Sequence, residues 1–291
     1  MSAWLPSAPC TPKGCAVHQG PAAGALTAAA RLLAGTLAVA VGVLLAPAAA
    51  LLGARVRDPL TRYWARTVLR AFGLRIRITG RPYGPRASLV VANHISWLDI
   101  PLMAAALPGR MLAKSEVRRW PVLGPLAARG GTLFVERDRL RTLPGTVREM
   151  ASALGGGARV IAFPEGSTWC GRDQGRFRPA VFQAALDSGV AVQPVHISYQ
   201  PTGAAAFVGD DPLAASLWRV AAAGGLTAEI RLLPPIPAGS CPDRRSLARA
   251  AQLAVAAQPA VARESAKRPS VSVHQRIKSS PASASSVRTP S

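Results

Sequence analysis

From residue 74 to residue 257 short apolar runs of strand length alternate with segments of helical pattern, and this alternation restricts the fold more than any other feature of the chain. LRIRIT (74–79), SLVVAN (88–93), RMLAK (110–114), GTLFVER (131–137), ARVIAFP (158–164), VAVQPVHISY (190–199) and AEIRLLPPI (228–236) read as strands, with AAAFVG (204–209) as a weaker one. Between them PLMAAAL, GTVREMASAL, PAVFQAALDSG, DPLAASLWRVAAA and RRSLARAAQLAVAAQ carry helical periodicity, and Gly155–Gly157 end the second of these. The expected class is α/β: a central, mostly parallel sheet flanked by helices, preceded by hydrophobic and amphipathic N-terminal helices.

Four segments follow from this. Residues 1–21 carry Pro, Gly and Ser without periodicity and are expected to be a disordered N-terminus. Residues 22–73 are expected to be membrane-associating helices. Between Arg31 and Arg55 no charge interrupts LLAGTLAVAVGVLLAPAAALLGA, which at ~1.5 Å per residue is long enough to cross a hydrocarbon core of roughly 30 Å. Pro47 divides it, so two half-helices dipping into one leaflet is an alternative, as is a soluble core helix. Next, residues 57–74 place Leu60, Trp64, Val68 and Phe72 on one helical face and Arg62, Arg66 and Arg70 on a basic stripe, a pattern that suits an anionic membrane surface or an ordinary solvated face. Residues 74–257 form the α/β domain. Residues 258–291, rich in Ser, Pro and Ala with scattered Arg and Lys, are expected to be a disordered basic tail.

Charge narrows the partners. Thirty-five basic residues against 14 acidic give a formal net charge of +21, which favours an anionic partner. No module with aromatics interleaved among the basic residues is present, so nucleic acid is not expected and an anionic membrane lipid is. Cys10, Cys15, Cys170 and Cys241 are scattered, with no CxxC pair and no His at ligand spacing. On spacing alone the expectation is reduced thiols and no metal.

Several strands run into polar clusters. SLVVAN leads to His94 and Asp99, GTLFVER ends in Glu136 and Arg137, and ARVIAFP leads to Glu165, Gly166, Ser167 and Thr168. Ligands of open α/β sheets gather at such strand ends. On a continuous helix His94 and Asp99 would stand ~140° apart, so they meet only if His94 precedes a helix that Asp99 begins. Pro101 supports that start, and is expected to push Ile100 out of helical geometry. Asp99 would then hold one ring nitrogen and leave the other as a general base. The alternative is purely structural: Asp99 caps the helix or closes a box with Ser96, and His94 bonds backbone in the core. No G-x-S-x-G elbow supports a serine hydrolase. Ser96 reads as a cap, His196 as structural, Cys170 as a bystander, and Trp97, Trp120 and Trp169 as packing residues.

NHISWLD, GTLFVER, FPEGST and VAVQPV occur in this order, and together they resemble the four motif blocks of the glycerolipid acyltransferase superfamily over about residues 75–200. The resemblance implies that His94 is the base and Asp99 its orienting carboxylate. It implies that Lys114 and Arg137 bind the acceptor's phosphate, and that Glu165, Gly166 and Ser167 shape the acceptor pocket. It also implies a donor that is acyl-CoA or acyl carrier protein, no cofactor, and work at the cytoplasmic face of the cell membrane. The expected reaction acylates the free sn-2 hydroxyl of lysophosphatidic acid. One position departs from the family: Thr168 stands where many members place Arg, with Arg172, Arg176 and Arg178 following. That departure leaves a lyso-ornithine lipid or another lysolipid as an alternative acceptor. A non-catalytic basic membrane-binding protein is the alternative of another class.

Overall fold

The computed structural model describes residues 8–18, 20–82, 87–120, 123–136 and 139–258. Arg137 and the tail from 259 onward lie outside the described residues. A one-turn helix, α1 (Pro12–Cys15), opens the described chain, and the long helices α2 (Ala25–Ala50) and α3 (Ala54–Ala71) follow. Then come β1 (Arg75–Thr79), β2 (Ser88–Ala92), α4 (Asp99–Ala106), β3 (Arg110–Lys114), α5 (Leu123–Arg129), β4 (Leu133–Val135), α6 (Leu143–Gly155) and β5 (Arg159–Ala162). The chain continues through α7 (Ala180–Ser188), β6 (Val192–Gln200), α8 (Thr202–Ala205), α9 (Leu213–Ala222), β7 (Thr227–Leu232) and α10 (Arg244–Ala256).

The seven strands form one sheet in the order β1-β7-β6-β2-β5-β3-β4. Every neighbouring pair is parallel except β6 with β7. The α/β class with a mostly parallel sheet is therefore as expected. Both faces are covered, which explains why β2 is an unbroken apolar run rather than an alternating one. Its Val90 and Ala92 face a core shared with Leu102 and Met103 of α4, Leu69 of α3 and Val220 of α9. Leu89 and Val91 face the other side, against Met150 of α6, Phe182 of α7 and Leu247 of α10. The edge strand β1 shows the alternation its sequence announced, with Arg75 and Arg77 exposed and Ile76 and Ile78 packed on the core.

The topology has one consequence for function. β6, β2, β5, β3 and β4 run in the same direction, so their C-terminal ends share one edge of the sheet. The loops carrying His94, Glu165, Lys114 and Glu136 leave from that edge.

α2 and α3 form an antiparallel pair built on small residues. A Cβ at Gly42 would lie 2.2 Å from the Trp64 ring and one at Gly35 would lie 2.5 Å from Phe72, so glycine is what permits the approach. Trp64 Nε1 donates to the Ala38 carbonyl at 2.8 Å, satisfying the buried indole. α2 is long and apolar enough to cross a membrane, and only 6% of its most apolar 18-residue window is buried. Leu26, Leu44 and Leu51 are 89%, 77% and 88% exposed, which is not how a soluble core helix behaves. The helix is continuous through Pro47, which sits in its last turn, and does not break into two halves.

Four local expectations differ. AAAFVG is not a strand: Ala204 and Ala205 end α8 and Phe207 runs on as an irregular segment that donates to the Ile95 carbonyl. A short apolar run of this kind carries no period, so its state is set by tertiary packing. Ile100 is helical, because α4 starts at Asp99 and Pro101 occupies the first turn, where a missing N–H costs nothing. α5 was not anticipated, because Gly124 and Pro125 disguise its start as a turn. Lastly, residues 8–18 pack on the domain rather than trailing from it, with Cys10 and Ala16 buried.

Candidate active site

The β2–α4 loop, residues 93–98, is held both by its own turn and by ties to β6. Asn93 ends the strand and bridges to β6: its Nδ2 donates to the Ile197 carbonyl at 2.9 Å and its Oδ1 accepts from the Ile197 N–H at 2.8 Å. The chain then turns, and Asp99 enters at the first helical position, fully buried. Asp99 Oδ2 accepts from the Ile95 and Ser96 backbone N–H groups at 2.6 and 2.9 Å. His94 Nδ1 lies 2.8 Å from the same oxygen. Tyr199, from the far end of β6, donates its hydroxyl to Asp99 Oδ1 at 2.6 Å. Four donors thus fix the plane of the carboxylate. Asp99 makes no side-chain cap bond to the helix it begins; its carboxylate instead closes the preceding turn onto Ile95 and Ser96 while contacting the imidazole.

That geometry sets the imidazole's tautomer. A carboxylate at Nδ1 keeps the proton there and leaves the Nε2 lone pair free. The His94 ring stacks on Phe163 at 4.2 Å between centroids and 15° between planes. Its side chain is 19% exposed while Asp99 is sealed, so the ring is the member of the pair that an incoming molecule can reach. Tyr199 stays a donor, because burial and the adjacent carboxylate push its phenol well above its usual range.

Glu165 braces the loop from behind. Its Oε2 accepts from the His94 backbone N–H at 2.8 Å and its Oε1 from Gly175 at 3.1 Å, joining the β2 and β5 loops. Burial pushes its carboxyl up to about 8, against the lowering effect of those two N–H groups and with a further rise from Asp99. Gly166 turns with φ +77°, a conformation that favours glycine. Ser167 Oγ is shielded and has no hydrogen-bond partner. Trp169 N–H donates to the His94 carbonyl at 2.7 Å, a second tie between the two loops.

The other expected site residues are placed as follows. Lys114 ends β3 on the same sheet edge, half-buried, with its ammonium 5.9 Å from the Trp120 ring centroid. Arg137 lies outside the described residues. Tyr199 and Phe163 were not singled out from the sequence as partners of the pair. Tyr199 carried a usable signal, since a tyrosine in a fully buried strand must find a partner for its hydroxyl. His196 is structural as expected: it is buried against α10, and burial aided by Arg231 pulls it down to about 4.

The spacing argument about cysteines does not survive folding. Cys10, Cys15 and Cys170 come together, with their sulfurs all within 4.8 Å of one another.

A mostly parallel α/β sheet carries, at its strand ends, a partly exposed histidine held by a buried carboxylate, an arrangement chemically able to accept a proton from a hydroxyl. Residues 75–198 match the protein family described as Acyltransferase. A lyso-ornithine lipid O-acyltransferase from Pseudomonas aeruginosa is 41% identical over 209 residues, covering 69% of this chain and 78% of that one. A 1-acyl-sn-glycerol-3-phosphate acyltransferase from Neisseria gonorrhoeae is 36% identical over 170 residues, covering 57% of this chain and 67% of that one. The crystal structure of the 1-acyl-sn-glycerophosphate (LPA) acyltransferase PlsC from Thermotoga maritima has the same fold, with a TM-score of 0.65 at 20% identity over 84% of this chain and 97% of that one. The chain belongs to the acyltransferase family, and it is an O-acyltransferase.

Proposed function

We propose that this protein transfers an acyl group from a soluble thioester to the free hydroxyl of a lysolipid at the cytoplasmic face of the membrane, with His94 as general base. The observation that carries the reading is the 2.8 Å contact between His94 Nδ1 and Asp99 Oδ2, with the ring reachable and the carboxylate sealed. An alcohol is a poor nucleophile at neutral pH. As its oxygen attacks the thioester carbonyl, its proton passes to His94 Nε2. The tetrahedral intermediate collapses by expelling the thiolate, which leaves with the proton from the imidazolium. No covalent acyl-enzyme is required. General-base help of this kind is worth about 10²–10⁴ in rate, and positioning of the two substrates supplies much of the remainder.

The donor is acyl-CoA or acyl carrier protein, both anionic, and the chain's charge of +21 suits them as it suits an anionic bilayer. The exposed apolar surface of α2 supports a site that works beside a lipid acceptor. We assign the acceptor first to a lyso-ornithine lipid. Two observations support this: Thr168 stands where a phosphate-binding Arg is common in the family, and the Pseudomonas relative matches at 41% identity. Lysophosphatidic acid is the second reading, supported by Lys114 on the sheet edge and by the Neisseria relative. Purified protein in mixed vesicles, given each lysolipid with either donor, tests both. The expected result is thiol release with lyso-ornithine lipid above that with lysophosphatidic acid, and Thr168→Arg shifting the ratio toward the phosphate acceptor. Equal release with and without any lysolipid would remove the transferase reading.

A further inference from the structure

Three of the four cysteines, Cys170 far in sequence from Cys10 and Cys15, meet in one small cluster behind the active-site loops. Cys10 precedes α1, Cys15 ends it, and Cys170 follows the Glu165–Thr168 turn. Their sulfurs lie within 4.8 Å of one another. Cys10 and Cys170 are 7% and 2% exposed, and Val208 closes the cluster beside them. α1 fixes the spacing of its two cysteines: Thr11 caps it through the Gly14 N–H, and the Cys15 N–H donates to the Thr11 carbonyl at 2.9 Å. On the other side, the backbone N–H groups of Arg172 and Asp173 point at the Cys170 sulfur. The Arg172 guanidinium also reaches the Gly14 carbonyl at 3.5 Å, so positive charge borders the cluster.

We propose that Cys10, Cys15 and Cys170 bind one Zn²⁺ ion that fastens the N-terminal segment to the loop carrying Glu165. Three sulfurs around a tetrahedral zinc at about 2.3 Å each stand about 3.8 Å apart, a small contraction from the present spread. The metal replaces the three thiol protons, which are released to solvent. Three thiolates around a dication leave one net negative charge, which the N–H groups of Arg172 and Asp173 and the nearby guanidinium offset. Water takes the fourth position on the half-buried side of Cys15. The proximity to chemistry is direct: Trp169, one residue before Cys170, donates its N–H to the His94 carbonyl. Zinc would therefore hold the third-block loop against the base from outside the reacting centre. Cys241 stands apart from the cluster and serves as the internal control.

The test is metal content of the full chain, purified in detergent with reductant and without chelator. Elemental analysis is expected to find about one zinc per chain, a stoichiometry set by a single thiolate site. Cys10→Ser, Cys15→Ser and Cys170→Ser are each expected to lose it, and Cys241→Ser to keep it. Because a serine variant can fail to fold, the wild-type protein is also treated with an organomercurial. Zinc release should track titration of three thiols, and Co²⁺ exchanged into the site should show thiolate-to-cobalt charge-transfer absorption. Wild-type protein that holds no zinc even after reduced protein is given ZnCl₂ would overturn the proposal. So would a mass two hydrogens short in non-reduced protein, with two of these three residues joined as a disulfide.

Discussion

The two loops that meet at His94 are built differently. Residues 93–98, after β2, gather around one carboxylate, with Asp99 collecting two backbone N–H groups and the imidazole from its own turn and a fourth donor from Tyr199 of β6. Residues 163–178, after β5, are closed by Arg178 on Pro164 and tied outward by Glu165 on the His94 N–H, Trp169 on the His94 carbonyl, and Cys170 among residues of the N-terminal segment. In the first loop Asn93, His94 Nδ1 and both Asp99 oxygens have partners. In the second, Ser167 Oγ and Trp169 Nε1 are buried without one. The first is therefore organised around its carboxylate, whereas the second keeps two side-chain groups with unused hydrogen-bonding capacity. Unmade hydrogen bonds of buried groups cost about 1–3 kcal/mol each, so such capacity persists where function uses it.

Substitutions in the first loop should have the largest effects. Asp99→Asn puts an amide among four donors, and breaking one side of a buried pair costs about 3–5 kcal/mol. Turnover should fall about a hundred- to a thousandfold, read as thiol release, with a lower melting temperature. Tyr199→Phe removes one donor to the same carboxylate, a hydrogen bond worth about 1.5–3 kcal/mol. Its kcat should drop about tenfold or somewhat more, with acceptor KM little changed. If Tyr199→Phe proves silent, the carboxylate does not need its far oxygen held, and the organised loop is smaller than described.

The second loop should respond differently. Ser167→Ala deletes a hydroxyl that has no partner among the described residues, so the fold should lose nothing. Acceptor KM should rise about three- to tenfold if the hydroxyl serves the lipid, the range of one neutral hydrogen bond. An unchanged KM would make Ser167 a packing residue and erase the contrast between the loops. Glu165→Gln tests the brace between them through pH. Glu165 holds its proton more tightly in the folded state, near 8 against an ordinary 4.5. Its contribution to stability is thus fully present below pH 4.5 and lost as pH rises toward about 8. Glu165→Gln should flatten that decline in denaturant titrations. His196, pulled down to about 4, acts in the opposite sense: stability is lost as pH falls below its ordinary 6.5, and His196→Asn should remove that acid limb.

The same contrast explains what could be read in the sequence. The sheet was legible because strands buried on both faces are unbroken apolar runs, as in Leu89–Ala92. The His94–Asp99 contact was legible because both partners and the helix start lie within seven residues, and ordered motif blocks named their chemistry. Tyr199 was not, because its contact spans 100 positions and depends on how β6 aligns with β2. The cysteine cluster was misjudged for the same reason: spacing rules see Cys10 and Cys15 but not the fold that carries Cys170 to them. α2 was legible as apolar, but its continuity through Pro47 depends on where in the helix that residue falls.

The claim on which all of this turns is that the His94 ring removes the acceptor's proton. The most direct measurement is thioester-derived thiol release by purified His94→Ala in lysolipid vesicles, beside wild-type protein, with vesicle flotation and thermal melting confirming that both proteins are folded and membrane-bound. The account predicts that release falls about 10²–10⁴-fold while flotation and melting stay unchanged. Wild-type release from a folded, membrane-bound His94→Ala protein would contradict it.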